Sequence, residues 1–183
     1  MDNVYQTPTA ELVEAPASHP FFVTSTRKML ALHFATFGLY TLYWFYRHWK
    51  AHRDATGDDL WPWARAFFQI FFTHSLCRAI ANRLTRDGHE SWDYSAVATV
   101  YVVAAVAAHV LGRFTNGSVA LDLLTIAIGL LNVFPLIAMQ RKANLACGDE
   151  QGQSNARFTP ANLIWLLLGL VWWSLAMFGF TMQ

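Results

Sequence analysis

Residues 161–180 read ANLIWLLLGLVWWSLAMFGF, twenty consecutive positions without a charged side chain. A helix crosses the hydrocarbon core of a bilayer with about 20 apolar residues, each rising about 1.5 Å. Three further stretches are apolar and free of Lys and Arg, namely 29–46, 95–112 and 119–139. All thirteen basic residues lie outside these four segments. The sequence therefore predicts a helical membrane protein rather than a water-soluble one.

The overall composition agrees with one membrane domain. Hydrophobic residues make up 55% of the 183 positions, above the range of about 45–50% for soluble domains. The net charge of +1 creates no strong field that would attract nucleic acid. Cys77 and Cys147 are far apart, which predicts two free thiols. We expect a flexible polar lead over residues 1–20 and a single helical membrane domain over 21–183.

Residues 61–84 are apolar but carry polar side chains about every fourth position, including Arg65 and Arg78. A span through this segment would bring one of these arginines into the bilayer, at a cost of about 2.5–3.5 kcal/mol. A helix lying in the membrane interface avoids that cost, because the guanidinium groups can reach the headgroups. The predicted fold is therefore all-α and polytopic, with three to four transmembrane helices and an amphipathic interfacial helix at 61–84.

The first apolar segment, 29–46, has two open interpretations. If it spans the membrane, ten basic residues lie on the cytoplasmic side and three outside; if it bends at Gly38 and returns, the count is twelve to one. Its length of 18 residues favours a span, whereas Gly38 and the bases at both flanks favour a re-entrant dip. Both place the C-terminus outside. Gly38 and Pro135 are the candidate hinges.

Capping residues mark two helix starts. Ser25 or Thr26 can cap the first helix, and Thr159 followed by Pro160 is a typical N-terminus for the last one. Residues 140–158, which precede it, are predicted to be a polar linker.

His109 and Asp122 are the candidate intramembrane polar pair, since both lie near the tip of the hairpin between the second and third segments. Ionisable residues inside a membrane mark functional sites. A proton- or ion-linked role is one interpretation, and a polar clasp that fixes the hairpin is the other.

A second set of candidates comprises residues suited to the membrane interface. Basic side chains attract anionic headgroups, and tryptophans favour the boundary between water and lipid. These residues are Arg47, Lys50, Arg53, Arg65, Arg78, Trp61 and Trp63. In the last segment, Trp172 and Trp173 together with Trp165 and Gly169 indicate either a lipid or quinone groove or a helix face packed in the bundle.

No catalytic or metal site is predicted. His48 and His52 have the four-residue spacing of helical metal ligands, but two ligands do not make a site. No group of acids, histidines and cysteines converges at one depth, so we expect neither an enzyme nor a cofactor.

Three motifs resemble those of a known family: TFGLYTLYW at 36–44, WARAFF at 63–68 and NARFTPAN at 155–162. They are similar to a family of small bacterial inner-membrane proteins of unknown function, marked by a Thr-x-Gly-Leu/Ile-Tyr-x-x-Tyr-Trp segment. The resemblance covers roughly residues 20–180. It implies a bacterial plasma-membrane location and assigns no catalytic residues.

The expected function is that of a non-enzymatic inner-membrane protein acting as an interaction or accessory protein. Its expected partners are membrane lipids and either another membrane protein or a second copy of the chain, but not nucleic acid. The alternative is a small transporter or lipid-handling protein that uses the region of His109 and Asp122.

Overall fold

The computed structural model describes residues 19–181, and the regular structure in that range is entirely helical. The helices are α1 Thr26–Ala35, α2 Tyr40–Thr56, α3 Pro62–Phe67, α4 Gln69–Arg86, α5 Ser95–Leu111, α6 Val119–Leu131, α7 Val133–Ala146 and α8 Pro160–Thr181, with a 3-10 turn at Gln153–Asn155. The predicted all-α class is confirmed for the described residues. The predicted polar lead, apart from its last two positions, lies outside them.

Two helical stretches are long and apolar enough to cross a membrane. One is Val119–Ala146, in which α6 and α7 follow each other through Asn132, and the other is Pro160–Gly179 within α8. Helix α5 is apolar but shorter, with 17 residues. The predicted linker 140–158 begins too early, because α7 continues beyond residue 139 to its end at Ala146.

Both predicted helix N-caps are formed. The Ser25 hydroxyl accepts a hydrogen bond from the Lys28 backbone N–H at the start of α1. Helix α8 begins at Pro160, and the Thr159 hydroxyl accepts from the Asn162 N–H while the Asn162 side chain accepts from the Thr159 N–H. This reciprocal pair satisfies two backbone donors at the helix terminus.

The first apolar segment does not form one straight helix. Helices α1 and α2 are separated by a turn at residues 36–39, in which Phe37 has φ +51° and Gly38 has φ +85°. Glycine adopts this left-handed conformation freely, whereas for Phe37 it costs about 1–2 kcal/mol. Of the two interpretations, the structure therefore has the bend at Gly38 and not the uninterrupted helix.

The two ends of this α1–α2 hairpin lie side by side. Phe22, just before α1, has its ring 4.6 Å from the guanidinium carbon of Arg47 in α2. Phe21 stacks on His52, with 5.6 Å between ring centroids. The chain thus enters and leaves the hairpin at the same end.

The tip of the hairpin meets the middle of α8. The Trp173 indole N–H donates a 2.8 Å hydrogen bond to the Phe34 carbonyl, and the Trp173 ring stacks on Phe37 with 4.1 Å between centroids. The Phe34 carbonyl also accepts a 3.3 Å hydrogen bond from the Phe37 N–H, so Trp173 adds a second donor at the end of the helix. Helix α1 therefore runs beside the first half of α8 and stops there.

The predicted helix 61–84 is interrupted. A break at Phe68 separates α3 from α4. Leu76, Ile80 and Leu84 of α4 are buried in the core, whereas Phe67 and Phe71 remain exposed. Its apolar residues thus serve two different purposes, and a single amphipathic helix was the wrong description.

Candidate functional site

An extended segment before α1, residues 21–25, is called the strap here, and side-chain amides hold it in place. The Gln140 side chain donates to the Phe22 carbonyl at 2.9 Å, and the Asn144 side chain to the Thr24 carbonyl at 3.0 Å. The Asn155 side chain donates to the Val23 carbonyl at 2.9 Å. Helix α7 and the turn at Gln153–Asn155 thereby fix the strap.

Gln140 is the centre of this amide cluster and is 0% exposed. Its carbonyl oxygen accepts from the Trp44 indole N–H and lies 3.2 Å from His48 Nε2. An indole N–H can only donate, so it determines which end of the amide faces Trp44. Every polar atom of the Gln140 side chain is therefore engaged.

His48 is neutral in this environment. Desolvation lowers its pKa to about 3, although the hydrogen bond with Gln140 opposes the shift and the Arg47 charge adds to it. Because the Gln140 oxygen is an acceptor, the hydrogen bond places the proton on His48 Nε2. The described part of the chain contains no group of three or more residues that could bind a metal ion.

The strap positions Lys28 in the first turn of α1. Lys28 is 4% exposed, and its ammonium group donates to the Asn155 side-chain oxygen at 2.6 Å and to the Arg157 carbonyl at 2.8 Å. Desolvation lowers the pKa of Lys28, and the charge of Arg47 lowers it further. Two of the three ammonium hydrogens are used, and in residues 19–181 no carboxylate lies within 4.0 Å of it.

Lys28 and Arg47 line one pocket of about 420 Å³ together with Asn155 and Asn162. The Arg47 guanidinium donates to the Tyr43 hydroxyl at 2.6 Å. Within the described residues Arg47 forms no ion pair either. We call this pocket the cationic mouth, because it holds two positive charges and no negative one.

An apolar groove continues from the cationic mouth between the α1–α2 hairpin and α8. Tyr40 and Asn162 line both the mouth and the adjoining stretch, which reaches Trp165. Trp165 also lines the far end, a space of about 620 Å³ beside Leu168 and Trp172. The groove is therefore cationic at the start of α8 and apolar at its middle.

The adjacent tryptophans of α8, Trp172 and Trp173, have different roles. Trp172 lines the groove, as the lipid-groove interpretation predicted, whereas Trp173 packs against the turn between α1 and α2. Gly169 allows the close contact between α8 and α1: a Cβ atom there would lie 2.3 Å from the Ala35 carbonyl oxygen.

Of the five predicted headgroup-binding bases, only Arg47 lies in the groove. The others have partners elsewhere: Lys50 and Arg53 pair with Asp54, the Arg65 guanidinium lies 4.3 Å from the Trp49 ring, and Arg78 donates to the Tyr94 hydroxyl. Trp61 and Trp63 are exposed, consistent with an interface position. Lys28, Asn155 and Asn162 were not singled out as site residues, and the only signal for Lys28 was its place beside the first apolar segment.

In residues 19–181, His109 and Asp122 form no ion pair with each other. His109 Nε2 lies 3.2 Å from a guanidinium nitrogen of Arg113. Asp122 occupies the first turn of α6, where the helix dipole favours a negative charge. Among the described residues neither side chain takes part in an ion pair, so the predicted pair is not formed.

Comparison of the chain with protein-family models, with curated proteins and with solved structures finds no match. The family resemblance therefore stays a prediction from its motifs. Tyr40 and Tyr43 of the first motif and Asn155 and Asn162 of the third line the cationic mouth.

Proposed function

We propose that this protein is a non-enzymatic integral membrane protein of the bacterial inner membrane that binds an anionic phospholipid in the groove between the α1–α2 hairpin and α8. Its accessory role would be to hold that lipid on its own or to present it to another membrane protein. The observation that carries the proposal is the cationic mouth, in which two cations without carboxylate partners open onto an apolar groove.

The membrane location is supported by the exposure of the apolar helices. Only 6% of the membrane window in Pro160–Gly179 and 17% of that in Val119–Ala146 is buried. A core helix of a soluble protein would be mostly buried, and soluble monomers rarely expose large continuous apolar patches. With α5 as a third span, these helices would place the C-terminus outside.

The hairpin would then be re-entrant. The α8 residue beside the tip of α1, Gly169, is nine positions from Pro160, which corresponds to about 14 Å at 1.5 Å per residue. This is about half of the ≈ 30 Å hydrocarbon core. Irregular backbone is tolerated at such depth where protein groups satisfy it, as Trp173 does for the Phe34 carbonyl.

The charge of the cationic mouth and the length of the groove both suit a phospholipid of the cytoplasmic leaflet. A phosphate at the cationic mouth would meet the free ammonium hydrogen of Lys28 and the guanidinium of Arg47. From Asn162 to Leu175, α8 rises about 20 Å, which exceeds the ≈ 15 Å of one leaflet's hydrocarbon. An acyl chain can therefore follow the groove along its whole length.

Selective lipid retention tests the proposal. In native mass spectrometry of the protein released from nanodiscs, we expect phosphatidylglycerol to be retained in preference to phosphatidylcholine. Arg47→Gln should weaken the apparent affinity for phosphatidylglycerol about fivefold, since a cation near an anionic headgroup contributes about 1 kcal/mol.

Lys50→Gln is the matched control. Lys50 lies one turn further along α2, carries the same charge and already pairs with Asp54. This variant should retain the wild-type affinity within about twofold, because an exposed ion pair of this kind contributes little. Equal retention of the two lipids, or an equal loss in both variants, would show that the groove is not an anionic-lipid site.

Cysteine labelling tests the re-entrant topology separately. In a background with Cys77→Ala and Cys147→Ser, we expect His19→Cys and Ala55→Cys to react with an impermeant maleimide from the same, cytoplasmic side. Both positions are exposed and flank the hairpin. Ser118→Cys, in the loop before α6, is the control for the outer side. Labelling of residues 19 and 55 from opposite sides would show that the first segment spans the membrane.

A further inference from the structure

A second pocket of about 420 Å³ lies on the other side of the turn at residues 36–39, between the α1–α2 hairpin and helices α5, α6 and α7. We call it the internal cavity. Phe37 and Gly38 of the turn line it, as do Gln69 and Tyr101. Its lining contains no Asp, Glu, Lys or Arg and is mostly apolar, with a few uncharged polar side chains and two histidines.

Three polar atoms that line this cavity are buried and have no hydrogen-bond partner within the described residues. They are His33 Nε2, Asn132 Oδ1 and Thr125 Oγ1. His33 is 3% exposed and Asn132 is 8% exposed. The Leu130 carbonyl interacts with the His33 ring, but it does not meet hydrogen-bond geometry with Nε2.

The other polar atoms of the same side chains are satisfied, which fixes their orientation. His33 Nδ1 lies 3.1 Å from the Thr41 hydroxyl, and the Asn132 side-chain nitrogen donates to the Tyr101 carbonyl at 3.2 Å. Each side chain is therefore held by one end with the other end facing the cavity. An unsatisfied buried polar group costs about 1–3 kcal/mol, so three of them together favour an occupant that forms hydrogen bonds.

Water fits these requirements. One water needs a cavity of at least about 10–15 Å³ and two to four polar partners, and this cavity has room for several. His33 Nε2 and the Thr125 hydroxyl can donate or accept, and Asn132 Oδ1 can accept. The absence of ionised lining residues favours neutral solutes over ions.

The entrance lies at the end of α5. His109 lines the internal cavity and is exposed, and it is three residues before Gly112, where α5 ends. The lining continues from His109 past Ala105 to Tyr101, two turns deeper on the same helix. The α5 part of this lining between His109 and Tyr101 is alanine, at Ala105 and Ala108, so an apolar stretch separates the two polar side chains.

We propose that the internal cavity is a water-filled site within the membrane, entered beside His109 and ending at His33, that admits small uncharged polar molecules. The proposal does not depend on lipid binding, because the three unpaired atoms that carry it belong to residues that do not line the groove or the cationic mouth.

Thiol reactivity tests the hydration directly. In the background lacking Cys77 and Cys147, Thr125→Cys places a thiol on the cavity wall, and Leu124→Cys places one on the neighbouring exposed face of α6. Methyl methanethiosulfonate is small and uncharged; the cysteine thiolate, which forms only in contact with water, attacks its divalent sulfur, giving a methyl disulfide and releasing methanesulfinate. We expect residue 125 to be modified at least about tenfold faster than residue 124 in membrane vesicles. Equal, slow modification of both would show a dry cavity.

A second pair of variants applies if Thr125→Cys fails to fold. Gly129 lines the internal cavity, and a Cβ atom there would meet nothing within 4 Å. Gly129→Ala measures the effect of higher helix propensity alone. Gly129→Leu adds a side chain that also fills space in the internal cavity. In a hydrated cavity, leucine displaces hydrogen-bonded water and the thermal midpoint should be lower than that of the alanine variant. A higher midpoint for leucine would indicate an empty apolar space and overturn the proposal.

Discussion

Replacing Gln140 by leucine should lower the free energy of unfolding by about 3–5 kcal/mol. The change leaves the Trp44 indole N–H, His48 Nε2 and the Phe22 carbonyl without their partner in a fully buried site. Each unsatisfied buried group costs about 1–3 kcal/mol, and the apolar leucine recovers only part of this. For a chain of this size we expect the thermal midpoint in detergent to fall by roughly 10 °C.

Gln151→Leu is the matched control for this variant. Gln151 is exposed, so the same chemical change should alter stability by no more than about 0.5 kcal/mol. If both variants had the same thermal midpoint, the amide cluster would not be what holds the strap. Loss of the strap contacts is also measurable as faster amide hydrogen exchange in residues 21–25.

Gly169→Ala should separate α8 from α1. The added Cβ would lie 2.3 Å from the Ala35 carbonyl oxygen. This oxygen belongs to the helix backbone, which cannot move aside as the end of a flexible side chain can. We expect a loss of about 1–3 kcal/mol in stability, typical of overpacking. The groove lies between these two helices, so retention of phosphatidylglycerol should decrease in the same variant.

Gly179→Ala provides the comparison within the same helix. A Cβ at Gly179 would have nothing within 4 Å, and alanine is the better helix former by about 0.8–1.0 kcal/mol. This variant should be as stable as the wild type or slightly more so. A Gly169→Ala protein with unchanged stability and lipid retention would contradict the close packing of α1 on α8.

The sequence allowed the all-helical class, the start of α8 and, as one alternative, the bend at Gly38 to be predicted. These follow from local signals: apolar length, a Thr-Pro cap and a glycine between two charged flanks. The amide cluster was missed because Gln140 and Asn144 contact residues about 120 positions away in sequence. Periodicity indicates which face a residue occupies but not its partner. One local indication of burial was present: Gln140 and Asn144 each directly follow an apolar residue, Met139 and Ala143, that is buried on the same helix.

The candidate site depended even more on tertiary arrangement. Lys28 and Arg47 are nineteen positions apart and meet only because the hairpin returns to its starting end. Among the predicted bases, the local sequence does distinguish Lys50 from Arg47, because Asp54 lies at helical ion-pair spacing after Lys50 whereas Ala51 occupies that position after Arg47. His109 and Asp122 were predicted from their depth alone, which does not determine the direction of either side chain.

The turn between α1 and α2 separates the apolar end of the groove from the internal cavity. Phe37 and Leu39 line both the apolar end of the groove and the internal cavity. A displacement of the Phe37 ring toward either side enlarges one space at the expense of the other. If the groove binds a lipid and the cavity holds water, as proposed, the two occupancies are thermodynamically linked and the linkage is reciprocal: whatever free energy a lipid adds to or removes from hydration of the cavity, hydration adds to or removes from lipid binding.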